Sequence, residues 1–253
     1  MFVLNKNVLT IKPRYSNEYR IGLIVPSLNV TIEPEFNAVA PQNMSIHATR
    51  LLLEKGERNN LERMAKRTEE ACDLLSSAKV NVIAYACTTG SLVKGLEGEK
   101  DLLQRMQSRV DVPVVTTAGA VISALKEMNL EKVGLGTPYT DKLNEVEVDF
   151  LEASGIHVTK VKGLGCVTGE DLHKYPPSET KRLAKQVNSK EAQGVFLSCT
   201  DLKTFTVIAS LEKELRKPVV SSNVATLWAT LKAMGYKGEK IRGHGSLLKR
   251  IRA

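Results

Sequence analysis

A strand-like run, Arg20-Ile21-Gly22-Leu23-Ile24-Val25-Pro26, returns 112 residues later as Lys132-Val133-Gly134-Leu135-Gly136-Thr137-Pro138. At the same offset Cys87-Thr88 falls on Cys199-Thr200, so each proline precedes its cysteine by 61 residues. A further pair, Pro113-Val114-Val115-Thr116-Thr117 and Pro218-Val219-Val220-Ser221-Ser222, recurs at an offset of 105. Each of these is followed by a Leu-Lys-x-Met segment, Leu125–Met128 and Leu231–Met234. Shared order and coincident offsets imply a duplicated unit. The 253 residues are therefore expected to form an N-terminal extension (1–19), a first lobe (20–131), a second lobe (132–243) and a basic tail (244–253), with the final helix free to pack back on the first lobe.

Short apolar runs alternate with stretches of helical period. Strands are expected at Arg20–Val25, Val80–Ala86, Val112–Thr116, Lys132–Thr137, Ile156–Val161, Gly194–Ser198 and Pro218–Ser221. Between Leu61 and Leu75 the residues Leu61, Met64, Ala65, Thr68, Ala71, Cys72 and Leu75 share one helical face. Strands alternating with helices imply parallel pairing, and near-continuous apolar strands suit a sheet covered on both faces. The fold class expected is α/β: two pseudo-symmetric Rossmann-like lobes with parallel sheets and a cleft between them.

Composition narrows the function. Hydrophobic residues at 42% and charged residues at 25% exclude a disordered chain, and four cysteines are too dilute for a disulfide scaffold. No apolar run reaches the roughly 18–20 residues that cross a bilayer, and Met1–Thr10 lacks an apolar signal core. A cytoplasmic location with reduced thiols is expected, without a membrane partner. The formal net charge of +8 is spread among acids, as in Glu62-Arg63-Met64-Ala65-Lys66-Arg67, and aromatic residues are only 5%. That pattern suits a pull on small anions better than a nucleic-acid footprint. Gly-rich phosphate loops are absent, no C-x-x-C occurs, and His47, His157, His173 and His244 are scattered. No metal, nucleotide or other cofactor is expected.

The repeat singles out two thiols. Cys87 and Cys199 each end an apolar strand and open a polar turn, the position at which parallel sheets bind ligands. Two lobes facing one another place one thiol on each side of a shared cleft. Backbone N–H groups at a helix start bind anions and lower a thiol pKa, so both are expected to be thiolate-competent, Cys87 more so because Asp201 opposes ionisation at Cys199. The N–H groups around Thr88, Thr89 and Thr200 suit a substrate carboxylate. Asn29, beside Ser27, and Tyr139 follow the matched first strands and can bond a carboxylate or an enolate-like oxygen; equally, they read as a turn asparagine and a partly buried tyrosine. Asn223 is either a further contact or the cap of the last helix. Cys72 reads as core, and Cys166 as a loop cysteine for which lining the cleft is the minor reading.

Taken together, Arg20–Ser27 with Asn29, Ala84-Tyr85-Ala86-Cys87-Thr88-Thr89-Gly90-Ser91, Thr137-Pro138-Tyr139-Thr140 and Ser198-Cys199-Thr200 resemble the maleate cis-trans isomerase and arylmalonate decarboxylase branch of the Asp/Glu racemase superfamily. The resemblance runs from about Arg20 to Tyr236. It implies two Rossmann-like lobes, chemistry without metal or cofactor, catalysis by Cys87 and Cys199, and carboxylate or oxyanion contacts from Asn29 and Tyr139. Arylmalonate decarboxylases lack the first cysteine, so Cys87 favours isomerisation. Maleate isomerases use a further asparagine in a second-lobe loop, and Gly163–Tyr175 holds none. The Cys199–Thr204 segment is closer to ectoine-utilisation and racemase-like relatives. The function expected is therefore isomerisation of a small dicarboxylate by a homo-oligomer, dimer or tetramer. The alternatives are two-thiol racemisation of an amino acid or hydantoin, and non-catalytic carboxylate binding.

Overall fold

The computed structural model describes residues 18–251; most of the 1–19 extension and the last two residues of the tail lie outside them. Strands β1 (Tyr19–Pro26), β2 (Met44–Leu51), β3 (Val82–Tyr85) and β4 (Val114–Thr116) form one parallel sheet in the order β2-β1-β3-β4. Strands β5 (Lys132–Thr137), β6 (His157–Gly163), β7 (Gly194–Leu197) and β8 (Val219–Ser221) form a second, ordered β6-β5-β7-β8. The two orders are identical once the repeat is allowed for.

The helices of the first half are α1 (Ile32–Val39), α2 (Arg58–Ala65), α3 (Thr68–Ser77), α4 (Thr88–Leu92), α5 (Gly95–Gln107) and α6 (Thr117–Glu127). Those of the second are α7 (Asp141–Ala153), α8 (Gly169–His173), α9 (Pro177–Val187), α10 (Ile208–Leu215) and α11 (Ser222–Ala233). Helices α6 and α11 open alike. Thr116 Oγ1 accepts from Gly119 N–H, and Ser221 Oγ from Val224 N–H, so each strand's last hydroxyl caps the next helix. Ser221, not Asn223, is thus the cap of the last helix. The two helices pack on each other, and α11 also reaches β3 and β4 of the first sheet.

One apolar core runs through both sheets, joining Ile21, Leu23 and Val82 to Leu135, Phe196 and Trp228. The inner strands β3 and β7 are buried at every residue, which is why they read as unbroken apolar runs. Strand β2 was not anticipated. It is an edge strand whose buried residues are only its ends, Met44 and Leu51, and Ser45-Ile46-His47-Ala48-Thr49-Arg50 between them carries no clear alternation. The expected helix at Leu61–Leu75 is two helices. Thr68 Oγ1 takes the Ala65 carbonyl at 2.9 Å, and Arg67 leaves helical geometry at φ −106°, ψ 9°. Gly134 is demanded by packing, because a Cβ there would sit 2.1 Å from the Val187 carbonyl of α9. The segment read as a basic tail turns back as a 3-10 turn at Leu247–Arg250, burying Leu247 and Leu248 in the main core. Among the described residues no helix is long and apolar enough to cross a membrane.

Polar ties fix the lobes across the strand ends. Glu35 of α1 accepts from the N–H groups of Thr204 (2.6 Å) and Phe205 (2.8 Å) and from Asn223 Nδ2 (2.7 Å). Burial raises its pKa while these donors pull it down. Glu35→Ala strands three buried donors at once, so it should lower unfolding stability by roughly 3 kcal/mol, at about 1 kcal/mol or more per lost partner. Urea titration checks this, and a loss below about 1 kcal/mol would show that the tie is not structural.

Candidate active site

In each sheet the chain reverses direction of growth between the first and third strands, β1/β3 and β5/β7, and in open parallel sheets that switch point is where ligands bind. Cys87 follows β3 and Cys199 follows β7. Both line one cavity of about 70 Å³, with Asn29, Thr88 and Thr89 from the first lobe and Tyr139, Thr200 and Asp201 from the second. Cys166 and the residues after it form its rim.

Cys87 is the N-cap of α4, and Gly90 N–H donates to its Sγ at 3.3 Å. A side chain at Gly90 would lie 2.9 Å from that sulfur and 2.4 Å from the Tyr85 hydroxyl, so only glycine lets this N–H approach. The N–H groups of Thr88 and Thr89 belong to the first helical turn, which has no intrahelical acceptors. Cys199 takes a φ of 105°, a strained turn for an L residue. Asp201 N–H donates to its Sγ at 3.4 Å, and the Tyr139 hydroxyl faces the same sulfur.

The expectation that helix-start N–H groups leave both thiols easily ionised is corrected by burial. Desolvation pushes Cys87 up to about 11, with Gly90 N–H and the Thr89 hydroxyl opposing. Cys199 is pushed higher still, by burial first and the Asp201 charge second. Asp201 does not point to solvent. Its carboxylate is only 4% exposed, accepts from Val30 N–H at 2.9 Å and pairs with His173 at 2.9 Å.

Asn29 joins both of its readings. Its Oδ1 accepts from Thr31 and Ile32 N–H at the start of α1, while Nδ2 donates to Thr200 Oγ1 at 3.0 Å on the cavity wall. Thr200 Oγ1 in turn donates to the Ala86 carbonyl at 3.0 Å. Ser27 and Asn223 are not among the lining residues: Ser27 Oγ is bonded to the Leu53 backbone, and Asn223 to Glu35. Cys72 is buried in the first lobe's own core, its thiol pushed up to about 12. Among the described residues no group of three or more His, Cys, Asp or Glu could hold a metal ion.

Sequence reasoning missed Ser222. Its Oγ accepts from Thr88 Oγ1 at 2.9 Å and from Cys199 N–H at 3.1 Å, so one hydroxyl bridges the neighbour of one thiol and the backbone of the other. The signal was available, since Ser222 closes the repeated Pro-Val-Val segment, but its partners lie 134 and 23 residues away.

Two parallel sheets that present one cysteine each to a single small cavity define a two-lobed α/β enzyme with a two-thiol site. The chain belongs to the arylmalonate decarboxylase family, whose sequence model matches residues 21–248. It is similar to the maleate isomerase of Pseudomonas putida, 28% identical over 243 residues, covering 91% of this chain and 97% of that protein. The maleate isomerase of Alcaligenes faecalis is 29% identical, over 86% of this chain and 91% of its own length. A crystal structure of maleate isomerase from another Pseudomonas putida strain superposes with a TM-score of 0.87 at 27% identity, covering 92% of this chain and 98% of that one.

Ser222→Ala removes the shared acceptor and leaves a buried hydroxyl and a buried N–H unpaired. It should cost roughly 1–3 kcal/mol of stability. A urea midpoint equal to wild type, at unchanged m-value, would show that the bridge is not what holds the two turns.

Proposed function

We propose that this enzyme isomerises a small cis-dicarboxylate, maleate to fumarate, by covalent addition without a cofactor. The observation that carries the reading is the pair of thiols, Cys87 and Cys199, lining one small cavity from opposite lobes. The Cys87 thiolate adds to one olefinic carbon and Cys199 gives its proton to the other, forming a C–S and a C–H bond as the double bond becomes single. After rotation, Cys199 takes a proton back from the same carbon. The C–S bond then breaks, releasing the trans product and the Cys87 thiolate. Addition divides one forbidding rotation into easier steps.

The remaining groups suit a dianion. First-turn N–H groups of Thr88 and Thr89, the second amide hydrogen of Asn29 and the Tyr139 hydroxyl are donors on the cavity wall. The maleate isomerases of Pseudomonas and Alcaligenes, similar along nearly the whole chain, favour this substrate class.

Proton NMR of maleate incubated with the enzyme in D2O should show fumarate forming. Cys87→Ala and Cys199→Ala should each abolish it with the fold intact by circular dichroism. A single variant that keeps more than about a tenth of wild-type kcat, a barrier change under roughly 1.4 kcal/mol, would refute the two-thiol mechanism. Deuterium entering the α-position of aspartate or glutamate instead would assign racemisation.

The raised thiol pKa gives a second test. Thiolate is the minor form of Cys87 at neutral pH, so kcat/KM should climb about tenfold from pH 7 to pH 8. A flat profile over that unit would mean that Cys87 is not the group that must ionise.

A further inference from the structure

The proposed substrate is a dianion, yet among the described residues the cavity lining holds no lysine, arginine or histidine. The one acidic residue on that lining is Asp201. A like charge beside a bound carboxylate costs affinity, and more so where water is scarce. Neutral N–H and O–H donors stabilise an anion, but they do not remove a like charge next to it. A second charge, of opposite sign, has to do that.

His173 is placed to supply it. It ends the short helix α8, and its Nε2 lies 2.9 Å from Asp201 Oδ2, with the histidine side chain 32% exposed and the aspartate 4%. Asp201 Oδ1 accepts from Val30 N–H at 2.9 Å, so both carboxylate oxygens are fixed. Among the described residues His173 is the only ion-pair partner of Asp201. The other charged groups near this helix are engaged elsewhere. Lys203 Nζ donates to the carbonyls of His173 at 3.0 Å and Tyr175 at 2.9 Å, which also holds the histidine in place. Asp171 accepts from Thr168 and Val167 and pairs with Lys174, while Glu170 is exposed.

We propose that His173 is a specificity-determining residue: its imidazolium cancels the Asp201 carboxylate and so admits a doubly charged substrate to a cavity that would otherwise favour a singly charged one. That role rests on the dicarboxylate reading of the cavity. It gives the loss of the cation a definite sign. A dianion is penalised more than a monoanion, and removing the Asp201 charge as well cancels the penalty. Asp201 also bears on how readily Cys199 ionises, so the decisive measurement has to separate the charge of the wall from the ionisation of the thiol.

Iodoacetate and iodoacetamide differ by one negative charge and alkylate the same thiolate, so the ratio of their rates at Cys199 reads the wall and the ionisation divides out. Measured at pH 7 by peptide mass spectrometry, the iodoacetate-to-iodoacetamide ratio should fall severalfold in His173→Gln, which keeps a hydrogen-bond donor but no charge. His173→Arg, a fixed cation, should hold the wild-type ratio. Asp201→Asn alone should not lower it, and H173Q/D201N should recover it. A merely looser rim would speed both reagents together and leave the ratio unmoved. In turnover, H173Q should lose about tenfold in kcat/KM for maleate relative to its monoamide, maleamate. An unchanged ratio in H173Q, a lowered one in D201N, or a fall in H173Q that the added D201N fails to restore would overturn the proposal even if maleate is isomerised. The expected ratios without turnover of maleate would uphold His173 as the residue that sets the charge of the wall and count against the functional reading instead.

Discussion

The geometry of this site depends on a handful of hydrogen bonds that cross between the lobes at the strand ends, and the Ser222 hydroxyl is the one that ties the two thiol turns directly. It receives Thr88, the residue after one thiol, and the N–H of Cys199, the other thiol's own backbone. Asn29 and Thr200 make a second crossing, and Glu35 a third. A shared apolar core could hold the lobes together, but apolar contact is not directional and would leave the separation of the sulfurs loose. Fixed hydroxyl and amide contacts remove that freedom, which addition at one carbon and protonation at its neighbour both require.

Burial that makes the thiols hard to ionise also gives the site its character. Both sulfurs sit where water is scarce, so the resting cleft keeps its protons, Cys87 at about 11 and Cys199 higher. Once formed, a thiolate there is poorly solvated and meets fixed donors, the N–H of Gly90 at one sulfur and of Asp201 at the other. The asymmetry between them comes from Asp201, which is held near Cys199 by Val30 and His173. On an otherwise duplicated plan one carboxylate sets the two thiols apart, and the proposed division into nucleophile and proton donor rests on that difference.

Much of this was legible in the chain because it is local or repeated. The inner strands show as apolar runs, and the offset of 112 places Cys87 and Cys199 at equivalent strand ends before any coordinate is known. Strand β2 was not legible, because an edge strand has one neighbour and no need of apolar residues on both faces. Ser222 and His173 were missed for a different reason: a serine that opens a helix and a histidine that ends one look ordinary until long-range packing supplies their partners. Ser27 and Asn223 fail as cavity residues for the same reason, each being claimed by a backbone or a carboxylate that only the folded chain brings near. The positive φ of Cys199 has no sequence signature at all, since glycine would be the residue to expect there.

The most direct test of the account is to stop the enzyme in acid during turnover of maleate and map modified peptides by mass spectrometry. The division of roles predicts one substrate mass added at Cys87 and none at Cys199. An adduct on Cys199, or sustained turnover with neither cysteine modified, would contradict it.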